Sequence, residues 1–209
     1  MGDLQSISRW HNPAWLWMAL AVWLAAVCCC WGRLAAYSYG PGPLARPPVL
    51  DLVGGPIRPA GTSHLLVMAI HPRCPCSRAS VGEFERLLTR FRRQLSGVVL
   101  VYQPAAAPDD WLQTDIVEHA RRLPGVEIVV DAGGALADNL GMKTSGATVL
   151  YSPRGTPEYW GGITPARGHA GDNLGSDAIA AAARGESAPL ASQPAYGCQI
   201  RPLADEVGK

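Results

Sequence analysis

The spacing of apolar and polar positions divides this chain into segments with different periods. From Ala14 to Trp31 no side chain is charged and most are apolar, without the one-sided stripe of a surface helix. At about 1.5 Å rise per residue, eighteen to twenty such residues cover roughly the 30 Å hydrocarbon layer of a bilayer, so the run predicts a transmembrane helix over 14–33. Trp10, Trp15, Trp17, Trp23 and Trp31 lie in or beside it, as residues of the interfacial aromatic belts do. A cleaved signal peptide is the rival, but the run is long for one, and WGRLAAYSYG offers a poor small-x-small site. A lipid-carrying Cys28 would need a small residue where Val27 stands. Cys28, Cys29 and Cys30 fall inside the run and read as small apolar wall residues.

Residues 1–13 form a short flank, and 34–62 read as a tether. Pro41, Pro43, Pro47, Pro48, Pro56 and Pro59 favour extended or turn backbone there, which would hold a following domain off the bilayer. The domain proper is expected over 63–185. It opens with LLVMAIH at 65–71, a continuous apolar run of the kind a strand buried on both faces shows. Val81, Phe84, Leu87, Leu88, Phe91 and Leu95 then recur at helical spacing, with Ser80 and Glu83 placed for a capping box. GVVLVYQ at 97–103 reads as the next strand. Asp109 or Asp110 is expected to cap a helix carrying Leu112, Ile116, Ala120 and Leu123. VEIVVD at 126–131 follows as a third strand, then a short helical stretch around Ala135 to Leu140. ATVLYS and PEYWGGI flank the turn Pro153-Arg154-Gly155 as a hairpin, and a last helix spans about Asn173 to Ala183. The order β-α-β-α-β-(short α)-β-β-α indicates an α/β mixed sheet flanked by helices. Residues 186–209 show no period and are left as a tail.

Length and charge narrow the functional classes. With 209 residues there is room for one domain and an anchor, and a formal net charge of +1 gives no field to attract nucleic acid. Arg9 and the terminal amine on one side of the apolar run, against Arg33, Arg46 and Arg58 on the other, leave its orientation undecided by charge.

The chemistry concentrates in His71-Pro72-Arg73-Cys74-Pro75-Cys76-Ser77, between the first strand and the long helix. Free amides and the positive end of a helix dipole favour a thiolate there, and Arg73, Arg78 and His71 are candidates to add positive charge. Cys74 is the candidate nucleophile, since the thiolate is the form that attacks a disulfide. Cys76 is the candidate resolving residue, although a disulfide across the single Pro75 closes a small, strained ring.

These residues resemble the thioredoxin superfamily and, within it, membrane-tethered bacterial proteins labelled RedB. The resemblance runs from about His64 to Cys198 and rests on HPRCPCSRAS, TSGATVLYSPRG, GGITPARGHAGDN and the late YGC. It implies a thioredoxin-like fold with an inserted strand and helix, thiol-disulfide oxidoreductase activity, and a thiol or disulfide protein partner or redox donor. It also implies a single-pass protein of the bacterial inner membrane with its soluble domain in the periplasm, an oxidising compartment where disulfide chemistry persists. Two departures stand out. One residue rather than two separates the cysteines, and Gly146 or Ala147 stands where thioredoxins place a cis-proline.

Arg167 and His169 in GITPARGHAGDN lie where a helix begins. Either they are exposed residues of a glycine-rich turn capped by Asp172 or Asn173, or they fold toward the cysteines as anion clamp and general base. Cys198 is either a surface cysteine of the tail or a second resolving residue, if the tail folds back. No cofactor is expected for disulfide exchange. The alternative is a Cu(I) module of thioredoxin fold, like Sco-type copper chaperones, with Cys74, Cys76 and His169 or His71 as a soft ligand set. A catalytically silent interaction module is a third reading.

Overall fold

A computed structural model describes residues 13–51, 57 and 63–201. The elements are α1 Pro13–Tyr39, β1 His64–Ile70, α2 Ser77–Arg90, β2 Leu95–Gln103, α3 Asp115–Arg121, β3 Val126–Ala132, α4 Ala135–Asn139, β4 Ala147–Tyr151, β5 Pro157–Gly161, α5 Leu174–Ala183 and β6 Ser192–Gln193. The chain divides into two compact units, Met1–Ser38 and Tyr39–Lys209.

In the first unit, Ala14–Tyr39 is long and apolar enough to cross a membrane, with mean hydropathy 1.9, and it fits a single-pass anchor. Cys28, Cys29 and Cys30 are exposed on it. The helix does not stop at Arg33, where the sequence suggested, but continues through Tyr39. Leu34, Ala35 and Ala36 are good helix formers, and the first strong breaker is Gly40-Pro41.

The second unit is built on a six-stranded sheet, among the described residues, in the order β3-β2-β1-β4-β5-β6. β1, β2 and β3 are mutually parallel, β4 runs antiparallel to β1, β5 antiparallel to β4, and β6 parallel to β5. A βαβ half joined to a ββα half, with helices on both faces, is the thioredoxin-like arrangement. β1 lies at the centre, and its period of two feeds two cores. Leu66, Met68 and Ile70 pack with Val81, Phe84, Leu87 and Leu88 of α2 and Ile179 of α5, while Leu65, Val67 and Ala69 pack with Leu140, Met142, Ala195 and Ile200.

The second core explains what the proline-rich segment does. Among the described residues of this unit, α4 is the helix that contributes to that core, and Leu44, Leu50 and Ile57 help to close it. The segment is therefore no free tether over 40–51. Gly42 N donates to Ala195 O at 2.8 Å, Ala45 N to Gly141 O at 2.9 Å and Leu50 N to Gly155 O at 2.9 Å. Thr144 Oγ1 donates to Pro43 O at 2.7 Å, and the Arg46 guanidinium lies 5.6 Å from the Trp160 ring centroid. The polyproline-like backbone suits this role, since it leaves its few amides free to bond a neighbouring surface. Residues 1–12, 52–56, 58–62 and 202–209, which include most of the flank, part of the expected tether and the end of the tail, lie outside the described residues.

The tail is ordered too. Ser192–Gln193 adds β6 to the sheet edge, Ser145 N donates to Cys198 O at 2.8 Å, and Ile200 N to Lys143 O at 2.9 Å. Three local expectations also need correction. α2 begins at Ser77 rather than Ser80, so the Ser80–Glu83 capping box does not form; buried Glu83 instead accepts from Gly171 N at 2.7 Å and pairs with Arg86. The N-cap of α3 is Thr114, whose side chain accepts from Val117 N, and not Asp109 or Asp110. Leu95 opens β2 and is not part of α2. The N-cap of α5 is Asn173, as the turn signal allowed.

Candidate active site

The turn after β1 folds on its own backbone: Cys74 N donates to His71 O at 3.0 Å, and Ser77 N to Cys74 O at 3.1 Å. Cys76 is the N-cap of α2 and supplies no side-chain cap. Both sulfurs thus stand at the amino end of that helix, but they are not alone. The tail brings Cys198 in from the far end of the chain, and the sulfurs of Cys74, Cys76 and Cys198 all lie within 4.8 Å of one another. All three are free thiols. Cys74 is the most enclosed, at 2% exposure against 9% for Cys76, while Cys198 is half-buried.

The three sulfurs are not equivalent. Burial works against the anion at Cys74, but hydrogen bonds from the Cys198 thiol, the Cys198 amide, the Ser77 hydroxyl and the Cys76 amide outweigh it, and the Cys74 pKa falls below that of an ordinary thiol. Cys76 moves the other way, raised first by burial and then by the negative charge of Cys74, with Arg167 opposing. Cys198 is pushed up to about 12, by burial and then by the hydrogen bond and charge of Cys74. Of the three sulfurs, Cys74 is the one whose anion these shifts favour.

A chain of hydroxyls supports that anion. Ser77 Oγ lies 2.6 Å from Ser145 Oγ, and Ser145 Oγ accepts from His71 N at 2.7 Å. If the Ser77 proton is directed at Cys74, Ser145 must donate to Ser77, so every donor in the sequence His71 N–H, Ser145 O–H, Ser77 O–H points toward the sulfur. Ser77 and Ser145 are both fully buried. Neither was singled out from the sequence; a serine beside a cysteine carries no periodic signal, and Ser145 is remote along the chain.

The charged residues expected around the thiolate are placed differently. Arg73 bonds Asp110 at 3.2 Å and lies 4.5 Å from the Trp111 ring centroid, and Arg78 pairs with Asp115. Their partners are these carboxylates and the indole ring. The His71 pKa is lowered, by burial and then by the Arg73 charge, which favours the neutral ring; its Nδ1 accepts from Arg73 N at 3.1 Å and its ring packs on Tyr102 and Trp111. Arg167 is the cation whose charge favours the anionic forms of Cys76 and Cys198, and its Nη2 donates to Gly40 O at 3.3 Å. His169 is exposed, with Nδ1 donating to Arg167 O at 2.9 Å, and it does not join the sulfur cluster. Gly168 is the point where this loop meets the site: a Cβ there would lie 4.0 Å from Cys76 Sγ, and its φ of 73° is one a side chain rarely adopts. Pro75 separates the two cysteines and its carbonyl accepts from Arg78 N at 3.4 Å.

Opposite the turn, Gly146 N donates to Ala69 O at 2.8 Å and Ala147 N to Thr144 O at 3.0 Å. A proline at either position would forfeit a backbone bond. A Cβ on Gly146 would also meet Ser80 Oγ at 2.4 Å, at a φ of 89°.

No family model matches this chain, and no curated protein matches it. Among solved structures, it is similar to a hypothetical protein from Sinorhizobium meliloti (22% identity, TM-score 0.57, covering 78% of this chain and 95% of the other). An uncharacterized conserved protein from Geobacillus kaustophilus is similar at 16% identity and TM-score 0.58, over 80% of this chain and 95% of its own. A secreted disulfide oxidoreductase from Mycobacterium tuberculosis matches at 16% identity and TM-score 0.37, over 46% of this chain and 67% of its own. The first two likenesses extend over nearly the whole of their partners, and with the strand order above they establish the fold.

Proposed function

We propose that this chain is a membrane-anchored thiol-disulfide oxidoreductase of the RedB type, acting on protein or small-molecule disulfides from the periplasmic side of a bacterial inner membrane. The observation that carries this reading is three free sulfurs within 4.8 Å of one another at the amino end of α2, unequal in that the Cys74 pKa is lowered and the Cys198 pKa raised.

Cys74 thiolate attacks one sulfur of a substrate disulfide, forming a Cys74–substrate disulfide and expelling the other substrate sulfur as a thiolate. Cys198 then gives up its proton, its sulfur attacks Cys74 Sγ, and the second substrate thiolate leaves. The protein ends as a Cys74–Cys198 disulfide, the substrate has gained two electrons, and a dithiol donor resets the pair. Cys198 suits the resolving role better than Cys76, because a Cys74–Cys76 bond must close across Pro75 alone. Cys76 contributes its amide to the Cys74 sulfur. Cys74 is 2% exposed, so an incoming disulfide reaches it only as the residues around it shift.

The test is reduction of a model protein disulfide by the full-length chain in detergent, with a dithiol as electron source. Cys74→Ser should abolish turnover, and Cys198→Ser should accumulate a Cys74–substrate mixed disulfide. Full turnover by Cys74→Ser would refute the assignment.

A further inference from the structure

We propose that the reduced sulfurs of Cys74, Cys76 and Cys198 together bind one Cu(I) ion in a three-thiolate site. The proposal uses the sulfurs that disulfide exchange uses, but it does not depend on turnover, and it replaces the histidine of the two-sulfur, one-nitrogen set with Cys198.

The geometry comes first. Three sulfurs about 2.3 Å from a central ion in a trigonal plane lie about 4.0 Å apart. The present separations, all within 4.8 Å, exceed that spacing by no more than about 0.8 Å. Cys74 and Cys76 share one tight turn, and the segment that carries Cys198 is held by backbone bonds before and after it, from Gly42 N to Ala195 O, from Ser145 N to Cys198 O and from Ile200 N to Lys143 O. The third donor is therefore placed before any ion arrives.

The donor set selects the ion. Thiolates are soft ligands and favour Cu(I), which three of them satisfy, whereas Zn(II) in a closed site takes four. Among the described residues no histidine or carboxylate joins the cluster. The enclosure of Cys74 and Cys76 also leaves little room for a water as fourth ligand. Three thiolates and Cu(I) carry a net charge of −2, which the charge of Arg167 and the amino end of α2 offset. Binding displaces the thiol protons and changes no oxidation state. A Cys74–Cys198 disulfide would remove two of the three donors, so the oxidised protein should not bind.

The test uses the full chain in detergent with Cys28, Cys29 and Cys30 replaced by serine, so that α1 contributes no thiols. Reduced protein is titrated with Cu(I) against a Cu(I)-specific chelator, and stoichiometry is read by native mass spectrometry. One ion per chain is expected, with affinity lowered at least about tenfold in each of Cys74→Ser, Cys76→Ser and Cys198→Ser, and unchanged in His169→Ala. Alkylation mapping on the unsubstituted sulfur triad guards against misfolded variants: bound Cu(I) should protect Cys74, Cys76 and Cys198 together. Absence of stoichiometric binding, binding retained in Cys198→Ser, loss in His169→Ala, preference for Zn(II), or an equal affinity after oxidation would each overturn the proposal.

Discussion

Replacing Ser77 by alanine removes one hydrogen-bond donor from the Cys74 sulfur and, with it, the Ser77 partner of the Ser145 hydroxyl. Ser77 is fully buried, alanine is nearly the same size, and alanine is the better helix former at the first position of α2, so the fold should survive. A hydrogen bond to a charged acceptor contributes about 1.5–3 kcal/mol, and 1.36 kcal/mol corresponds to a tenfold change in a protonation equilibrium. Because the group is enclosed, solvent screening does not erode that figure. The thiolate-to-thiol ratio of Cys74 at fixed pH should fall roughly ten- to a hundredfold. The assay is the pH dependence of Cys74 alkylation by iodoacetamide, followed by peptide mass spectrometry. Its midpoint reports protonation independently of how slowly the reagent enters. In Ser77→Ala the midpoint should rise relative to wild type; a midpoint that stays in place or falls would show that Ser77 does not donate to the anion, and the donor chain from His71 N through Ser145 would lose its terminus.

Other perturbations bear on the rest of the molecule. In the reduced protein, the depressed Cys74 pKa contributes stability that is present above the unfolded thiol pKa of about 8.5 and lost as pH falls through the folded value. Raised Cys76 and Cys198 thiols act oppositely, costing stability as pH climbs past about 8.5, where they deprotonate in the unfolded chain first. Chemical denaturation across pH should therefore show a rising limb that Cys74→Ser flattens and a falling limb that Cys198→Ser reduces. Glu83→Ala should cost about 1–3 kcal/mol by leaving Gly171 N unpaired, checked by urea titration. Asp131→Ala removes the acceptor for Leu136 N and Ala137 N, both at 2.9 Å, and should cost about 0.5–2 kcal/mol. Gly42→Ala should loosen the segment over 40–51, because its Cβ would fall 2.2 Å from Thr144 Oγ1; hydrogen exchange at Gly42 and Ala45 is expected to accelerate.

The strands, the long helix and the hairpin were legible because each writes its burial into a local period. The apolar block at 65–70 could announce a strand buried on both faces without reference to anything distant. The segment over 40–51 and the tail carry no such period. They are fixed by backbone bonds such as Gly42 to Ala195 and Ser145 to Cys198, between residues far apart in sequence, and proline-rich composition looks the same whether it hangs free or lies on a surface. The electrostatics of the site failed to read for a related reason. Arg73 and Arg167 are equal as letters, but Asp110 and Trp111 claim the first, while a turn through Gly168 brings the second to the sulfurs. Likewise a helix start is ambiguous where several cap residues follow one another: Thr114 caps α3 because the chain turns there, after Asp109 and Asp110 have passed. Cys198 was readable as a candidate but not as a neighbour of Cys74.

The pairing of sulfurs in the oxidised protein tests the central claim most directly. Full-length chain equilibrated with a glutathione redox buffer, quenched in acid and mapped by mass spectrometry should hold a Cys74–Cys198 disulfide, with Cys76 reduced. A Cys74–Cys76 bond, or no bond at all under conditions that oxidise other protein dithiols, would contradict the account of Cys74 as nucleophile and Cys198 as its resolving partner.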